Sequence, residues 1–161
     1  MQKIMTFLWF DDKAEEAAKF YVSLFKNSKL GDISRYDEEN EQVSGRPRGS
    51  VMVVNFTLDG QEFMALNGGP HFKFSEAISL LVHCDTQPEV DMFWEKLSEG
   101  GRTSQCGWLK DKYGLSWQIV PRAFSEMMRD KNPKKTRAVM AAMLKMTKLD
   151  IATLRKAYDA A

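Results

Sequence analysis

The side chains that could do chemistry in this sequence are few and dispersed. There are two histidines, His71 and His83, and two cysteines, Cys84 and Cys106. The cysteines have neither the spacing of a metal knuckle nor that of a disulfide framework. A lone histidine is more often a hydrogen-bonded structural group than a ligand. Cys106 could act as a nucleophile only as a thiolate, which needs a base or a cation beside it, and Lys110 is the nearby cation in the sequence. Glu62, Asp85 and Asp111 fall at strand edges or turns, where solvation or capping is their ordinary role. Asn67 and Gln118 are amides, able to fix the orientation of a ligand without changing charge. Trp108 is placed to line the same cleft. This set describes a binding cleft rather than a reaction.

The stretch that positions most of these residues is CGWLKDKYGLSWQIVP, Cys106 to Pro121. It reads as a strand from Trp108 to Asp111, a turn at Lys112-Tyr113-Gly114, and a strand from Leu115 to Val120. Gly114 is free to take positive φ. Leu115, Trp117 and Ile119 share the bulky face; Ser116, Gln118 and Val120 share the other.

Upstream, Lys3 to Phe10 is a strand, with Thr6, Leu8 and Phe10 opposite Met5, Phe7 and Trp9. Asp11 or Asp12 caps the next helix. That helix, about Ala14 to Phe25, carries the stripe Ala17, Phe20, Tyr21, Leu24, Phe25. Leu30 to Tyr36 is a second strand. Asp37 to Gly49 is polar, holds two glycines and a proline, and reads as a loop able to act as a lid. Ser50 to Leu58 and Gln61 to Asn67 flank the preferred hairpin turn Asp59-Gly60. That pairing puts Phe63, Ala65 and Asn67 on one face, and Met64 and Leu66 on the other. After Gly68-Gly69-Pro70 come a strand from Ala77 to His83 and a helix opened by Gln87-Pro88-Glu89. Its stripe is Val90, Phe93, Trp94 and Leu97, and Gly100-Gly101 ends it. A short strand near Arg102 to Ser104 leads into the hairpin.

The order is strand, helix, three strands, repeated once. It predicts an α+β fold of two βαβββ modules, about 1–70 and 71–121, forming a curled mixed sheet with an internal cleft. From residue 122 to 161 the pattern changes to an amphipathic helical extension, which should pack on its own domain or on a partner. The five methionines from Met127 to Met146 read as adaptable packing rather than a ligand box. At 161 residues, 43% apolar and 28% charged, the chain is long enough for a sizeable core. Its net charge of +1 gives no polyanion bias, so no nucleic-acid partner is expected. No stretch has the length of a membrane span or a signal peptide. Both cysteines are expected as reduced thiols in a cytoplasm.

Several stretches carry a family likeness: FLWFDDKAEEAAKFY from Phe7, GQEFMALNGGP from Gly60, SLLVHCD from Ser79, Trp94 to Gly101, and the Cys106 to Pro121 hairpin. They resemble the PhnB-like branch, also called the demethylubiquinone 3-methyltransferase-like domain, of the vicinal-oxygen-chelate superfamily. The helical tail AVMAAMLKMTKLDIATL looks like that branch too. The resemblance implies a cleft, a homodimer, and four metal-ligand positions falling on Thr6, Ala65, Ser79 and Gln118. None of the four is a histidine or carboxylate, and neutral oxygens are weak donors for a transition metal. The period-2 reading places all four opposite the bulky core residues. A one-residue slip would put Phe7, Met64 or Leu66 and their like there, which are worse ligands. The expectation is a metal-free protein without a cofactor that binds a small molecule through Thr6, Ala65, Asn67, Ser79, Trp108 and Gln118. An enzyme of unassigned reaction is the alternative. A methyltransferase is disfavoured, because neither glycine pair opens a helix as a nucleotide-type donor site requires.

Overall fold

The computed structural model describes Gln2 to Ala161. The chain divides into two compact units, one ending at Phe74 and the other spanning Ser75–Ala161. In the first unit the elements are β1 (Thr6–Phe10), α1 (Ala14–Leu24), β2 (Lys29–Arg35), α2 (Glu38–Ser44), β3 (Val51–Leu58) and β4 (Gln61–Asn67). Its four-stranded sheet runs β1-β4-β3-β2. The β1–β4 pair is parallel and the other pairs are antiparallel. Asp59 and Gly60 join β3 to β4 at φ 46° and 79°, the paired left-handed conformation that suits a two-residue hairpin.

One face of this sheet is the core. Leu8, Phe10, Val54, Phe56, Phe63 and Ala65 are each 4% exposed or less, and in the strand register they share a side. Against them lie Ala14, Ala17, Ala18 and Tyr21 of α1, all fully buried. The three alanines let the helix approach the sheet closely, while Tyr21 supplies area beside Phe56, their ring centroids 6.5 Å apart. The cap of α1 is not Asp11 or Asp12. Lys13 occupies the N-cap position with no side-chain bond, and the amide oxygen of Asn67 accepts the Ala14 N–H at 2.8 Å. The Asn67 amide nitrogen donates to the Val51 carbonyl at 3.2 Å.

The face assigned to the cleft in this module is therefore reversed. Thr6, Ala65 and Asn67 lie on the side covered by α1, with Ala65 fully buried and Asn67 5% exposed. Both sides of β1 and β4 are apolar, so alternation separates the two faces without saying which one a helix covers. The opposite face carries Phe7, Trp9, Met64 and Leu66. Trp9 fixes its neighbour: its indole N–H donates to the Gly69 carbonyl at 2.9 Å. A Cβ on Gly68 would meet the Trp9 ring at 2.2 Å, so only glycine fits there.

The expected loop at 37–49 is helical in its first half. Asp37 accepts the Asn40 N–H and Gly45 closes α2 at φ 68°, so an N-cap, three acids in the first turn and a glycine C-cap outweigh the segment's polarity.

The second unit contains β5 (Ser79–Cys84), α3 (Gln87–Ser98), β6 (Arg102–Thr103), β7 (Trp108–Lys110) and β8 (Ser116–Pro121). Its sheet runs β5-β8-β7-β6, the same first-fourth-third-second order as before. Thr86 caps α3 and Pro88 sits in its first turn. The tail forms α4 (Arg122–Met127), α5 (Pro133–Met143) and α6 (Ile151–Asp159). These build their own small core of Met127, Val139, Leu149 and Leu154. The tail packs on this unit. The Cys106 and Gly107 N–H groups donate to the Met146 and Thr147 carbonyls at 2.9 and 2.8 Å. Gln87 donates to the Leu149 carbonyl and accepts from the Ile151 N–H. Among the described residues no helix is long and apolar enough to cross a membrane.

Asn67→Ala should leave the Ala14 N–H and the Val51 carbonyl without partners inside the protein. The expected loss is about 2–3 kcal/mol of unfolding free energy in urea titration. An unchanged midpoint would mean that the amide does not hold α1.

Candidate functional site

The candidate site is the open face of the second sheet, and its foundation is Asp111. This carboxylate is 3% exposed. Its Oδ1 accepts the Tyr113 and Leu115 N–H groups at 2.9 and 3.1 Å, and its Oδ2 accepts the Trp117 indole N–H at 2.9 Å. A buried carboxylate is tolerable only when donors surround it. These three donors come from the turn it opens and from the next strand, so satisfying the charge also sets the hairpin. The hairpin register then fixes the faces. Leu109 faces Trp117, Trp108 faces Gln118 and Lys110 faces Ser116. Leu109, Trp117 and Ile119 are buried on the side of α3, together with Cys84.

The opposite side carries Ser79, Leu81, His83, Trp108, Lys110, Ser116 and Gln118. The Gln118 amide donates to Ser79 Oγ at 2.9 Å. That bond leaves the amide oxygen, the second amide N–H and the serine proton unused. Leu81, 46% exposed, is the register partner of Gln118 on β5 and adds apolar surface beside it. Ser79, Trp108 and Gln118 are thus brought together in one module. Thr6, Ala65 and Asn67 are not: they belong to the helix-covered face of the other. His83 is exposed on β5 and His71 is exposed in the loop before it.

A transition metal does not fit these residues. The second module's open face offers neutral oxygens from Ser79 and Gln118 and a single imidazole, His83, and the first module's offers Phe7, Trp9, Met64 and Leu66 with a single carboxylate, Glu62, near the strand ends. Among the described residues no three His, Cys, Asp or Glu side chains gather as a metal site.

Two features of this region escaped the sequence reading. Ser116 Oγ is buried and makes no hydrogen bond. It shares the face of Gln118 two residues away, which alternation does show, but nothing in the sequence says that its hydroxyl is unsatisfied. Glu76, in the loop before β5, places its carboxylate 2.8 Å from Lys110 Nζ, a contact with no local sequence signal.

The two thiols differ. Cys84 is fully buried, and burial first, then the charges of Glu89 and Asp85, pushes its pKa from 9.0 up to about 12. Cys106 is half-buried, at φ 59° just before β7.

Repeated βαβββ modules, each a mixed sheet with a helix on one face, define the vicinal-oxygen-chelate class. The sequence pattern of 3-demethylubiquinone-9 3-methyltransferase matches residues 2–120, and the chain belongs to that family, the PhnB-like branch of the class. Among solved structures it is similar to the PhnB protein from Bacillus cereus, with 43% identity and a TM-score of 0.67 over 74% of this chain and 99% of that one. Protein PA1353 from Pseudomonas aeruginosa is similar at 18% identity and TM-score 0.60, over 75% of this chain and 98% of that one. The fosfomycin resistance protein FosX from Listeria monocytogenes is similar at 12% identity and TM-score 0.55, over 80% and 98%. The last two show the fold alone. No curated protein matches the chain. The family match stops short of the helical tail, whose likeness to the family it does not support.

Two outcomes follow from these environments. Asp111→Ala should cost about 3–5 kcal/mol, since it strands three donors at once, and Trp117→Phe about 1–3 kcal/mol; urea titration followed by circular dichroism measures both. In native protein at pH 8, a maleimide should modify Cys106 and spare Cys84, with both modified in urea. The folded pKa of Cys84 is raised, so its contribution to stability is complete below about pH 9 and is lost as pH rises toward 12. Peptide mapping that found Cys84 labelled as fast as Cys106 would contradict this burial.

Proposed function

We propose that this protein binds a small organic molecule, without a metal ion, on the open face of the second module. The observation that carries this is the Gln118–Ser79 hydrogen bond, two half-buried polar side chains joined across parallel strands on the face opposite the Trp117 core side. The core does not need them, and between them they keep the amide oxygen as acceptor and the second amide N–H and the serine O–H as donors for a ligand. Trp108 and Leu81 give that ligand apolar area. The strands of this face carry no carboxylate, and the one beside them, Glu76, is paired with Lys110, so recognition rests on hydrogen bonds and shape rather than chelation.

The family's name suggests methyl transfer. A nucleotide-type methyl donor is usually cradled by a glycine-rich turn from strand to helix. Here β1 reaches α1 through Asp11-Asp12-Lys13 and β5 reaches α3 through Asp85-Thr86, and neither turn contains glycine. Binding is therefore the reading we favour over that reaction. We further infer a cytoplasmic homodimer: the thiols are unpaired, and Phe7 and Ile78 leave apolar surface for a second copy at 53% and 70% exposure.

Native mass spectrometry of the freshly purified protein should show a dimer carrying a co-purified small molecule, and elemental analysis should find no stoichiometric transition metal. Gln118→Ala should release that molecule while moving the melting temperature by less than 2 °C, roughly the shift of a surface change. One tightly held zinc or nickel per chain, or a Gln118→Ala protein that keeps the molecule, would overturn the reading.

A further inference from the structure

Beside Trp108 on the second module lies a cavity of about 550 Å³. Its lining includes Glu76, Arg102, Cys106, Trp108, Lys110 and Ser116. It lies on the β6–β7 side of the sheet, and neither Ser79 nor Gln118 lines it. Arg102 and Lys110 are direct partners in the antiparallel β6–β7 pair, so the two cations stand side by side on one face. Glu76 comes from the loop before β5, and its Oε1 accepts from Lys110 Nζ at 2.8 Å. The hydrogen bond from Lys110 chiefly, and the Arg102 charge to a lesser degree, hold the Glu76 carboxyl below its ordinary range. Ser116 is the register partner of Lys110. It is 1% exposed, and its hydroxyl has no partner.

A buried hydroxyl without a partner is costly, and proteins normally supply one. Here it borders a cavity where one of the two cations, Lys110, is occupied by a carboxylate from a surface loop. Glu76 itself is 65% exposed at its side chain, so solvent screens its ion pair and it is held weakly. It stands where the acid group of a ligand would stand.

We propose that this cavity binds the carboxylate of a small, partly apolar organic acid. The acid displaces Glu76 from Lys110 and takes Arg102 as a second cation. It gives the Ser116 hydroxyl its missing partner and lays its apolar body on Trp108. The inference rests on the reading that this face is a small-molecule site, and it names the chemical class of what enters. The exchange of one carboxylate for another leaves the local charge balance unchanged, so Lys110 keeps an anionic partner in the bound state. A neutral molecule of the same shape cannot compete with Glu76 for Lys110, and this gives the site its selectivity for acids.

Titration calorimetry of the full-length protein with benzoate, and with benzyl alcohol as its neutral counterpart, tests this. Benzoate should bind at least tenfold more tightly than benzyl alcohol. Glu76→Gln should raise benzoate affinity about threefold or more by removing the internal competitor. Lys110→Met should abolish benzoate binding, and Ser116→Ala should weaken it severalfold, each in protein whose melting curve remains cooperative. A fall in affinity, or no change, in Glu76→Gln would overturn the displacement, because a merely structural ion pair predicts one of those. Equal affinities for the two probes would overturn the acid selectivity while leaving small-molecule binding in place. Binding of neither probe, to wild type or to Glu76→Gln, would overturn the inference, and the co-purified molecule then decides the broader reading separately. Inorganic phosphate competing as well as benzoate would overturn the carboxylic-acid assignment.

Discussion

One buried charge organises the second module. Asp111 is enclosed, and a carboxylate taken out of water must be solvated by the protein or not be there. Its donors include two backbone N–H groups of its own turn and the indole of Trp117. Once the indole reaches Oδ2, Trp117 must point to the helix side of β8. Period 2 then sends Ser116 and Gln118 to the other side. The faces of the whole sheet follow from that single rotation, since β5 and β7 are both registered to β8.

The first module solves the same topological problem with a neutral amide. Asn67, at the end of β4, holds the first N–H of α1 and the Val51 carbonyl. It thereby joins the helix to two strands without burying a charge. The consequence for the open face differs. In the first module the centre of that face keeps Trp9, Phe7, Met64 and Leu66, with Asn55, Thr57 and Glu62 beside them. In the second it keeps hydroxyls, an amide and two cations. One repeat thus offers more aromatic and aliphatic surface and the other more cationic and amide groups, though their strand orders are identical.

Much of this was legible in the sequence. Alternation in LSWQIV, the Asp59-Gly60 turn and the alanine-aromatic stripe of α1 each have one physical solution, so strands, hairpins and helices fall close to where they were expected. Which face of β1 and β4 is inside was not legible, because Leu8 and Phe10 are no more apolar than Phe7 and Trp9. The three site residues assigned in that module went to the helix-covered face for this reason, Ala65 and Asn67 into the core. Asp111 looked like a turn carboxylate because its enclosure depends on an indole six residues on. The helix at Glu38–Ser44 was hidden by polarity, although its caps were in plain view. Glu76 meets Lys110 across 34 residues of chain, and no local pattern encodes a contact of that separation.

Recognition and stability share β8 but not its side chains. Leu115, Trp117 and Ile119 are at most 2% exposed, and their burial against α3 accounts for the strand's hold on the module. Gln118 lies between two of them in sequence, yet on the opposite face, touching Ser79 instead of the core. Because the strand is fixed by Asp111 and by the apolar set, the polar set can vary without moving the backbone that presents it. A scaffold of this kind can exchange one set of ligand contacts for another at little cost in folding. A cation held between strands would remove that freedom, since its donors must keep fixed number and geometry. Neutral hydrogen-bonding groups on a rigid hairpin leave the ligand to be set by a few substitutions at alternate positions, of which 116 and 118 are the central pair.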